Sequence, residues 1–256
     1  MSALAFAVSD STTMTRRVLK HTMRNPSTLL MSIMLPLIIL LLLNYGIGGA
    51  LNTGDIKYID YLIPGIIMMG AGYSASATAV AVSSDMNEGI IDRFRTLSIS
   101  RGSILIGHVA GNTLRTAVGI AVVVLAGLGM GFRPAGGAAS LLEAAGLVVL
   151  LLFTVSWLAT AIGLAAQNTS SAASVASLIS MLPFLSGAFA PTDTMPGWLR
   201  TFTENQPMTH IIDALRGLMM DTPVGSHGWI SVVWCAGITV FGYLWAKSVF
   251  GKKTVR

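Results

Sequence analysis

The segment Asp85-Met-Asn-Glu88-Gly-Ile-Ile-Asp92-Arg93-Phe94-Arg95-Thr-Leu-Ser-Ile-Ser-Arg101 is a charged island in an otherwise apolar chain. It holds six charged residues of a chain that has only 16 basic and 11 acidic ones. A long uncharged segment ends just before the island, and another begins just after it. Charged side chains are costly in hydrocarbon, so the island must connect two membrane spans. A short connecting helix with ordered charges is a natural contact surface for a second protein.

The composition of the whole chain is that of an integral membrane protein. It is 53% hydrophobic and 11% charged, with a mean hydropathy of +0.72, whereas a soluble domain carries roughly 25% charged residues. The single cysteine, Cys235, excludes an internal disulfide. The net charge of +5 does not indicate nucleic-acid binding, because the basic residues cluster beside hydrophobic spans, where they set orientation in the membrane.

Six segments are long and apolar enough to cross a bilayer, which takes about 20 residues per helix. They are Ser27–Gly48, Ile59–Ser83, Ser103–Gly129, Leu141–Ala166, Ala172–Ala190 and Gly228–Ala246. A five-span alternative would put the polar run Gln167–Ser171 inside a helix, but five consecutive polar residues favour a tight turn. Pro36 and Pro183 fall inside the first and fifth segments and predict kinks.

The basic residues predict the orientation. With six spans, eleven Lys and Arg residues share the side of the two termini and the island, four lie on the other side, and Arg115 lies within a span. The positive-inside rule therefore predicts that both termini and the island are cytoplasmic.

Two polar segments have helical patterns of their own. Residues 13–25 form a basic amphipathic stretch that predicts an interfacial helix on the inner membrane surface, with Arg17, Lys20 and Arg24 on its polar side; a plain flanking tail is the alternative. Residues 191–227 form an outer loop whose amphipathic stretches Met195–Leu199 and Met208–Met219 predict two short helices.

Several kinds of functional site are missing from the sequence. No lysine stands in the Gly-Lys-Ser/Thr context of a phosphate-binding P-loop. Four scattered histidines and one cysteine do not form a zinc-binding pattern. His210 and Asp213 are neighbours on a helix, but no activated nucleophile is evident beside them. We therefore expect no catalytic or metal-binding residues, and any active work must draw on a partner or an ion gradient.

Polar residues inside the spans are candidates for a substrate route. His108, Asn112 and Arg115 follow helical spacing and share one face of the third span. This face lines either a water-filled cavity or a cytoplasmic vestibule, unless Arg115 simply reaches the inner headgroups. Ser174 and Ser177 make the fifth span hydroxyl-rich, for helix packing or for a polar route. Gly107-x-x-x-Gly111 permits close helix approach.

At the island the chain resembles the ABC-2 type permeases, the membrane subunits of type V-like ATP-driven exporters. The matching residues are Asn87-Glu88-Gly89-Ile90-Ile91-Asp92-Arg93-Phe94 and Ser98-Ile-Ser-Arg101. Ile90 replaces the family's threonine and Ser98 replaces its usual proline. A second match, Pro196-Gly-Trp-Leu199 followed by Glu204 to Gly217, is similar to the daunorubicin/doxorubicin resistance permeases.

The resemblance implies one transmembrane domain over residues 1–256. It implies an all-α integral membrane fold with six transmembrane helices, an N-terminal interfacial helix, a cytoplasmic coupling helix over residues 84–101, and short outer helices. The coupling helix docks on a separate ATP-binding subunit. Carried onto this chain, its contact residues are Glu88, Gly89, Asp92, Arg93, Phe94 and Arg95.

The resemblance also implies the partners and the location. Two permeases, identical or different, pack through their first and fifth spans, and two P-loop subunits bind the ATP and Mg, so this chain carries no cofactor. The complex lies in a bacterial cell membrane and exports a hydrophobic or amphipathic drug, antibiotic or lipid. The alternatives are a polysaccharide or glycolipid exporter, and a non-transporting membrane partner of an ATPase, such as a sensor or immunity protein.

Overall fold

The computed structural model describes residues 3–24, 26–49, 57–88, 101–190, 192 and 195–253, and these residues form helices and short connections. Its nine α-helices, numbered over the described residues, are α1 (Ala3–Arg24), α2 (Pro26–Leu41), α3 (Tyr58–Asn87), α4 (Arg101–Gly129), α5 (Ala138–Ala165), α6 (Thr169–Met181), α7 (Gly197–Asn205), α8 (Pro207–Met220) and α9 (His227–Lys253).

Four of the described helices are long and apolar enough to cross a membrane, judged by length and composition. They contain the segments Tyr58–Asn87, Leu105–Gly129, Ala138–Ala165 and His227–Gly251. The other two predicted spans appear as shorter apolar helical segments, Ser32–Gly46 and Thr169–Leu185. The helical character of the described residues is thus confirmed, whereas the full count of six spans stays a prediction.

Both shorter segments change helix type near a proline. Helix α2 contains Pro36 and continues as a π-helical turn over Leu42–Ile47. Helix α6 continues as a 3₁₀ turn over Leu182–Leu185, with Pro183 near its start. Proline removes a backbone donor and clashes with the carbonyl four residues before it, which accounts for the change of helix type at Pro183. The π-helical turn begins six residues beyond Pro36, so Pro36 does not explain it.

Helix α3 is the centre of the fold and packs against α2, α4, α5, α6 and α8. Close approach to α6 requires a glycine, because a side chain at Gly72 would lie 2.6 Å from the Cα of Ser180. Helix α9 packs mainly on α5, and α1 mainly on α4. The result is a bundle in which α3 is buried while α9 exposes most of its surface.

The polar run after α5 forms a tight turn, as predicted. Helix α5 ends at Ala165, and Asn168 caps the start of α6. The Asn168 Oδ1 accepts from the Ser171 backbone N–H at 2.8 Å, and the Ser171 Oγ lies 3.3 Å from the Asn168 backbone N–H that it accepts from. This reciprocal capping box satisfies donors that the helix start leaves open.

Several predicted boundaries differ from the structure. Helix α1 begins at Ala3, ten residues before the predicted start at residue 13. Helix α3 continues to Asn87, so the predicted coupling segment 84–101 begins inside a long helix and ends on the first residue of α4. A helix does not have to end where it leaves the hydrocarbon, so α3 continues through the charged Asp85 beyond its apolar part. Helices α7 and α8 lie in the predicted outer loop, where the amphipathic pattern indicates short helices.

Candidate functional site

Three helices meet at Asp85, in the last turn of α3. The Asp85 Oδ2 lies 3.3 Å from Arg17 Nη1 of α1 and 3.1 Å from His108 Nε2 of α4. Arg17 Nη2 also donates to Asp85 Oδ1 at 3.4 Å. The side chains are progressively less exposed, at 37% for Arg17, 18% for Asp85 and 7% for His108. One carboxylate thus joins the N-terminal helix, the central helix and α4. We call these three residues the Asp85 cluster.

Glycines bring α1 against α4 beside this cluster. A methyl group at Gly107 would overlap the Met14 Cβ, and one at Gly111 would lie 2.8 Å from the Cβ and Cγ1 of Val18. Met14 is 6% exposed. The apolar side of α1 was expected to face the membrane surface, but at Met14 and Val18 it packs on α4 instead. The reason is that the small Gly-x-x-x-Gly surface admits a helix at close range.

The charged island continues past the cluster, and Glu88 lies about one turn beyond Asp85. Glu88 is exposed, and its Oε1 accepts from the Ser84 Oγ at 2.6 Å. The other predicted contact residues, Gly89, Asp92, Arg93, Phe94 and Arg95, lie outside the described residues. Of the predicted basic side of α1, Lys20 is exposed, and the side chain of Arg24 is not among those described.

Further along α4, Asn112 and Arg115 do not join His108 in one open path. Asn112 is 1% exposed, and Arg115 borders a small cavity of about 20 Å³ together with Ser32 of α2 and Ser74 of α3. Asn112 Nδ2 and Arg115 Nη2 are buried and find no acceptor among the residues that the structure describes. A cavity of this size holds about one water molecule, which would give the Arg115 donor a partner.

Ser174 and Ser177 lie on an exposed side of α6. The Ser177 Oγ donates to the Ser174 carbonyl at 2.8 Å, so this hydroxyl bonds within its own helix. The same side carries the exposed apolar residues Val175 (50%) and Leu178 (65%). In a single chain these serines therefore line a surface rather than an enclosed route.

At the opposite end of α3, Arg216 of α8 ties three parts of the fold together. Its Nη1 lies 2.6 Å from Asp213 Oδ1, and its Nη2 donates to the Gly187 carbonyl at 3.0 Å. Its guanidinium carbon lies 3.9 Å from the centre of the Tyr61 ring, in cation–π geometry. The Tyr61 hydroxyl also donates to the Gly187 carbonyl, at 2.8 Å. Arg216 thus anchors α8 on the start of α3.

A histidine pair joins α8 to α9. The Nδ1 atoms of His210 and His227 are 3.0 Å apart. Burial, helped by the nearby His227, lowers the pKa of His210. Burial raises the pKa of Asp213, although the Arg216 guanidinium opposes that rise. A neutral His210 ring is therefore favoured, and the tautomers of the two rings decide which Nδ1 donates to the other.

The sequence placed His108 and Arg17 in separate roles and did not predict that they meet. Asp85 was recognised only as the first charge of the island. No periodicity links residues 17, 85 and 108. The only hint in the sequence is that Asp85 lies at the end of one apolar segment, while Arg17 and His108 lie on two other segments. Arg216 was likewise identified only as part of the stretch Glu204 to Gly217, and not as a residue that anchors α8 on α3.

Comparisons with known proteins identify the family of the chain. The sequence matches the family ABC-2 type transporter over residues 10–220. It is 31% identical to the daunorubicin resistance ABC transporter permease protein DrrB1 of Streptomyces coeruleorubidus, over 99% of this chain and 87% of that one. It is 28% identical to the probable doxorubicin resistance ABC transporter permease protein DrrC of Mycobacterium tuberculosis, over 93% of this chain and 87% of that one. The chain belongs to the ABC-2 type transporter family, as a multi-pass membrane protein.

Proposed function

We propose that this chain is the permease subunit of an ATP-driven exporter for a hydrophobic or amphipathic drug, antibiotic or lipid. The observation that carries the proposal is similarity over nearly the whole chain to permeases named for daunorubicin and doxorubicin resistance. The alternative of a non-transporting sensor has no observation of its own in its favour.

Coupling to ATP hydrolysis takes place at the island, on a separate P-loop subunit that binds ATP and Mg. The Asp85 cluster supports this proposal, because it fastens α1 and α4 to α3 within one turn of Glu88. A displacement of the island by the ATP-binding subunit would therefore move α1, α3 and α4 together. Glu88, Gly89, Asp92, Arg93, Phe94 and Arg95 are the proposed contact residues, with Arg17, Lys20 and Arg24 beside them on α1.

The working unit in this proposal contains two permeases and two ATP-binding subunits, with six spans per permease and both termini cytoplasmic. The permeases meet through α2 and α6. Both helices expose large apolar side chains in the single chain, among them Leu30 (58%) and Ile38 (49%) on α2 and Leu178 (65%) on α6. Ser174 and Ser177 would then face the second permease across the substrate route.

Arg115 and Asn112 are proposed contributors to that route, and His108 is a positioning residue at its cytoplasmic end. The support is the pair of buried donors without described acceptors and the cavity bordered by α2. Movement of α2 would open this cavity and expose the guanidinium to a polar group of the substrate.

The test is drug-stimulated ATP hydrolysis by the permease reconstituted with the P-loop subunit that co-purifies with it. We expect Glu88→Lys and Asp92→Lys to reduce stimulated hydrolysis toward the basal rate. The control is Glu143→Lys, because Glu143 is also exposed but lies near the start of α5, far along the chain from the island. Full stimulation in both island variants would remove the coupling assignment. Failure of the permease to co-purify with any P-loop protein would remove the exporter proposal itself.

A further inference from the structure

An apolar groove of about 510 Å³ lies between α4 and α5, near the end of the bundle where α8 packs. All of its lining side chains are apolar. Its floor includes Ile67 of α3 and Ala144 of α5, which are 1% and 2% exposed, and its rim includes Leu125 and Val149, which are 64% and 51% exposed. The groove is therefore deep, and it opens on the outer surface of two membrane-spanning helices.

The groove forms because small side chains line it and leave space between α4 and α5. Helices α4 and α5 touch where the Thr113 Oγ1 donates to the Ser156 Oγ at 3.3 Å. Farther along, Ala121 of α4 and Ala144 and Ala145 of α5 line the groove. Protein interiors are close-packed, and an empty apolar space costs free energy in proportion to its volume. An apolar cavity stays dry, so hydrocarbon is the occupant that the lining favours.

The cationic side chain of Arg133 lies at the end of the groove. Arg133 follows α4 in the turn toward α5, and its side chain is exposed. Its Nη1 donates to the carbonyls of Leu128 and Phe132 at 2.7 and 2.9 Å, and both of these residues line the groove. A guanidinium has five N–H donors and suits a phosphate. The turn between two spans lies at the membrane surface, which is the level of lipid headgroups.

We propose that this groove binds one acyl chain of a membrane phospholipid whose anionic headgroup pairs with Arg133. The groove volume lies in the ~300–1,000 Å³ range of ligand pockets. Helices α4 and α5 are not the helices of the proposed permease dimer, so the groove stays open to the bilayer in the assembled transporter. The bound lipid fills the space that the alanines leave and holds α4 and α5 at their observed separation. Lipid binding in the groove does not depend on whether the transporter moves its substrate out of the cell or into it.

The test uses phosphatidylglycerol with a photoreactive diazirine in its acyl chain, added to the full-length protein in nanodiscs, followed by peptide mapping of the cross-links. We expect labelling to concentrate in residues 117–128 and 141–149. Ala121→Trp fills the groove and should remove most of this labelling, and Ala145→Trp should do the same. Both alanines are exposed, so the larger rings need not enter the core. Ala236→Trp is the matched control, because Ala236 is exposed on α9, away from the groove.

The headgroup contact is tested by competition with unlabelled phosphatidylglycerol and phosphatidylcholine. Arg133→Gln should lower the preference for phosphatidylglycerol about fivefold, the change that one cation near a membrane surface gives, while Arg133→Lys should keep it. Equal labelling of all lipid-facing helices, or no effect of either groove variant, would overturn the site. An unchanged preference in Arg133→Gln would overturn the headgroup assignment. Displacement of the lipid by daunorubicin would reassign the groove to a transported amphiphile.

Discussion

Replacement of Gly107 by alanine should loosen α1 from α4. The added methyl group would overlap the Met14 Cβ and lie 3.2 Å from the Met14 carbonyl carbon. These atoms are in or next to the backbone, so a change of rotamer cannot relieve the clash and the helices must separate. Overpacking costs about 1–3 kcal/mol, whereas alanine gains up to about 1 kcal/mol in helix propensity over glycine.

The helix propensity of α4 is the same whether α1 is docked or undocked, so the cost of Gly107→Ala to docking should be about 1–3 kcal/mol, which lowers the ratio of docked to undocked α1 roughly 5- to 150-fold. Gly111→Ala should cost less, because the 2.8 Å contact with Val18 needs a shift of only 0.6 Å to reach 3.4 Å, the lower limit of ordinary contact. Gly146→Ala is the matched control: it is also a helical glycine, but a Cβ there meets nothing within 4 Å.

The assay is limited trypsin cleavage of α1 at Arg16, Arg17 and Lys20 in nanodiscs. Cleavage of a transiently opened segment follows its open population when opening and closing are fast. We expect Gly107→Ala to be cut at least about fivefold faster than wild type, Gly111→Ala slightly faster, and Gly146→Ala no faster. Equal rates for Gly107→Ala and Gly146→Ala would show that α1 does not depend on this contact.

Three further predictions concern polar contacts. A double-mutant cycle between Arg17→Ala and Asp85→Ala should give a favourable coupling energy of about 0.5–1 kcal/mol in thermal unfolding, as for partly exposed pairs; a value of zero would contradict the ion pair. Arg216→Lys should lower the unfolding temperature, because an ammonium loses the planar fork that serves a carbonyl and an aromatic ring together, and an unchanged temperature would remove the anchor assignment. Acidification from pH 7.5 to 5.5 should destabilise the contact between His210 and His227: the unfolded chain takes up protons first because the pKa of folded His210 is lowered, so stability falls with pH in this range. His210→Gln should flatten that dependence, as followed by hydrogen exchange in the two helices.

The apolar spans and the turn at Asn168 could be predicted from sequence because each follows from local physics. Apolar length predicts a span, and a polar run with Asn at its centre predicts a break and a cap. The same reasoning could not give the partner of His108, since Asp85 lies 23 residues earlier, on another helix. It also misjudged the environment of α1. Amphipathicity predicts that Met14 must be buried, but it does not distinguish a membrane surface from a neighbouring helix.

Arg115 illustrates a different limit. Sequence alone left open whether this cation reaches the inner headgroups or faces a cavity. The structure places it beside the small cavity with Ser32 and Ser74, which depends on where α2 crosses α4. Crossing positions are set by the packing of the whole bundle rather than by any one span. The contact residues of the island from Gly89 to Arg95 stay predictions.

The docking of α1 on Gly107 and Gly111 also has a consequence for biosynthesis. Helix α1 leaves the ribosome about 90 residues before its partner surface on α4. At about 5–20 residues per second, the newly made helix waits roughly 5–20 s before that surface exists. During this interval the side of α1 that carries Met14 and Val18 can be shielded only by the membrane surface or by a chaperone. An amphipathic helix is thus suited to both stages, first as a temporary surface anchor and later as a packed part of the bundle.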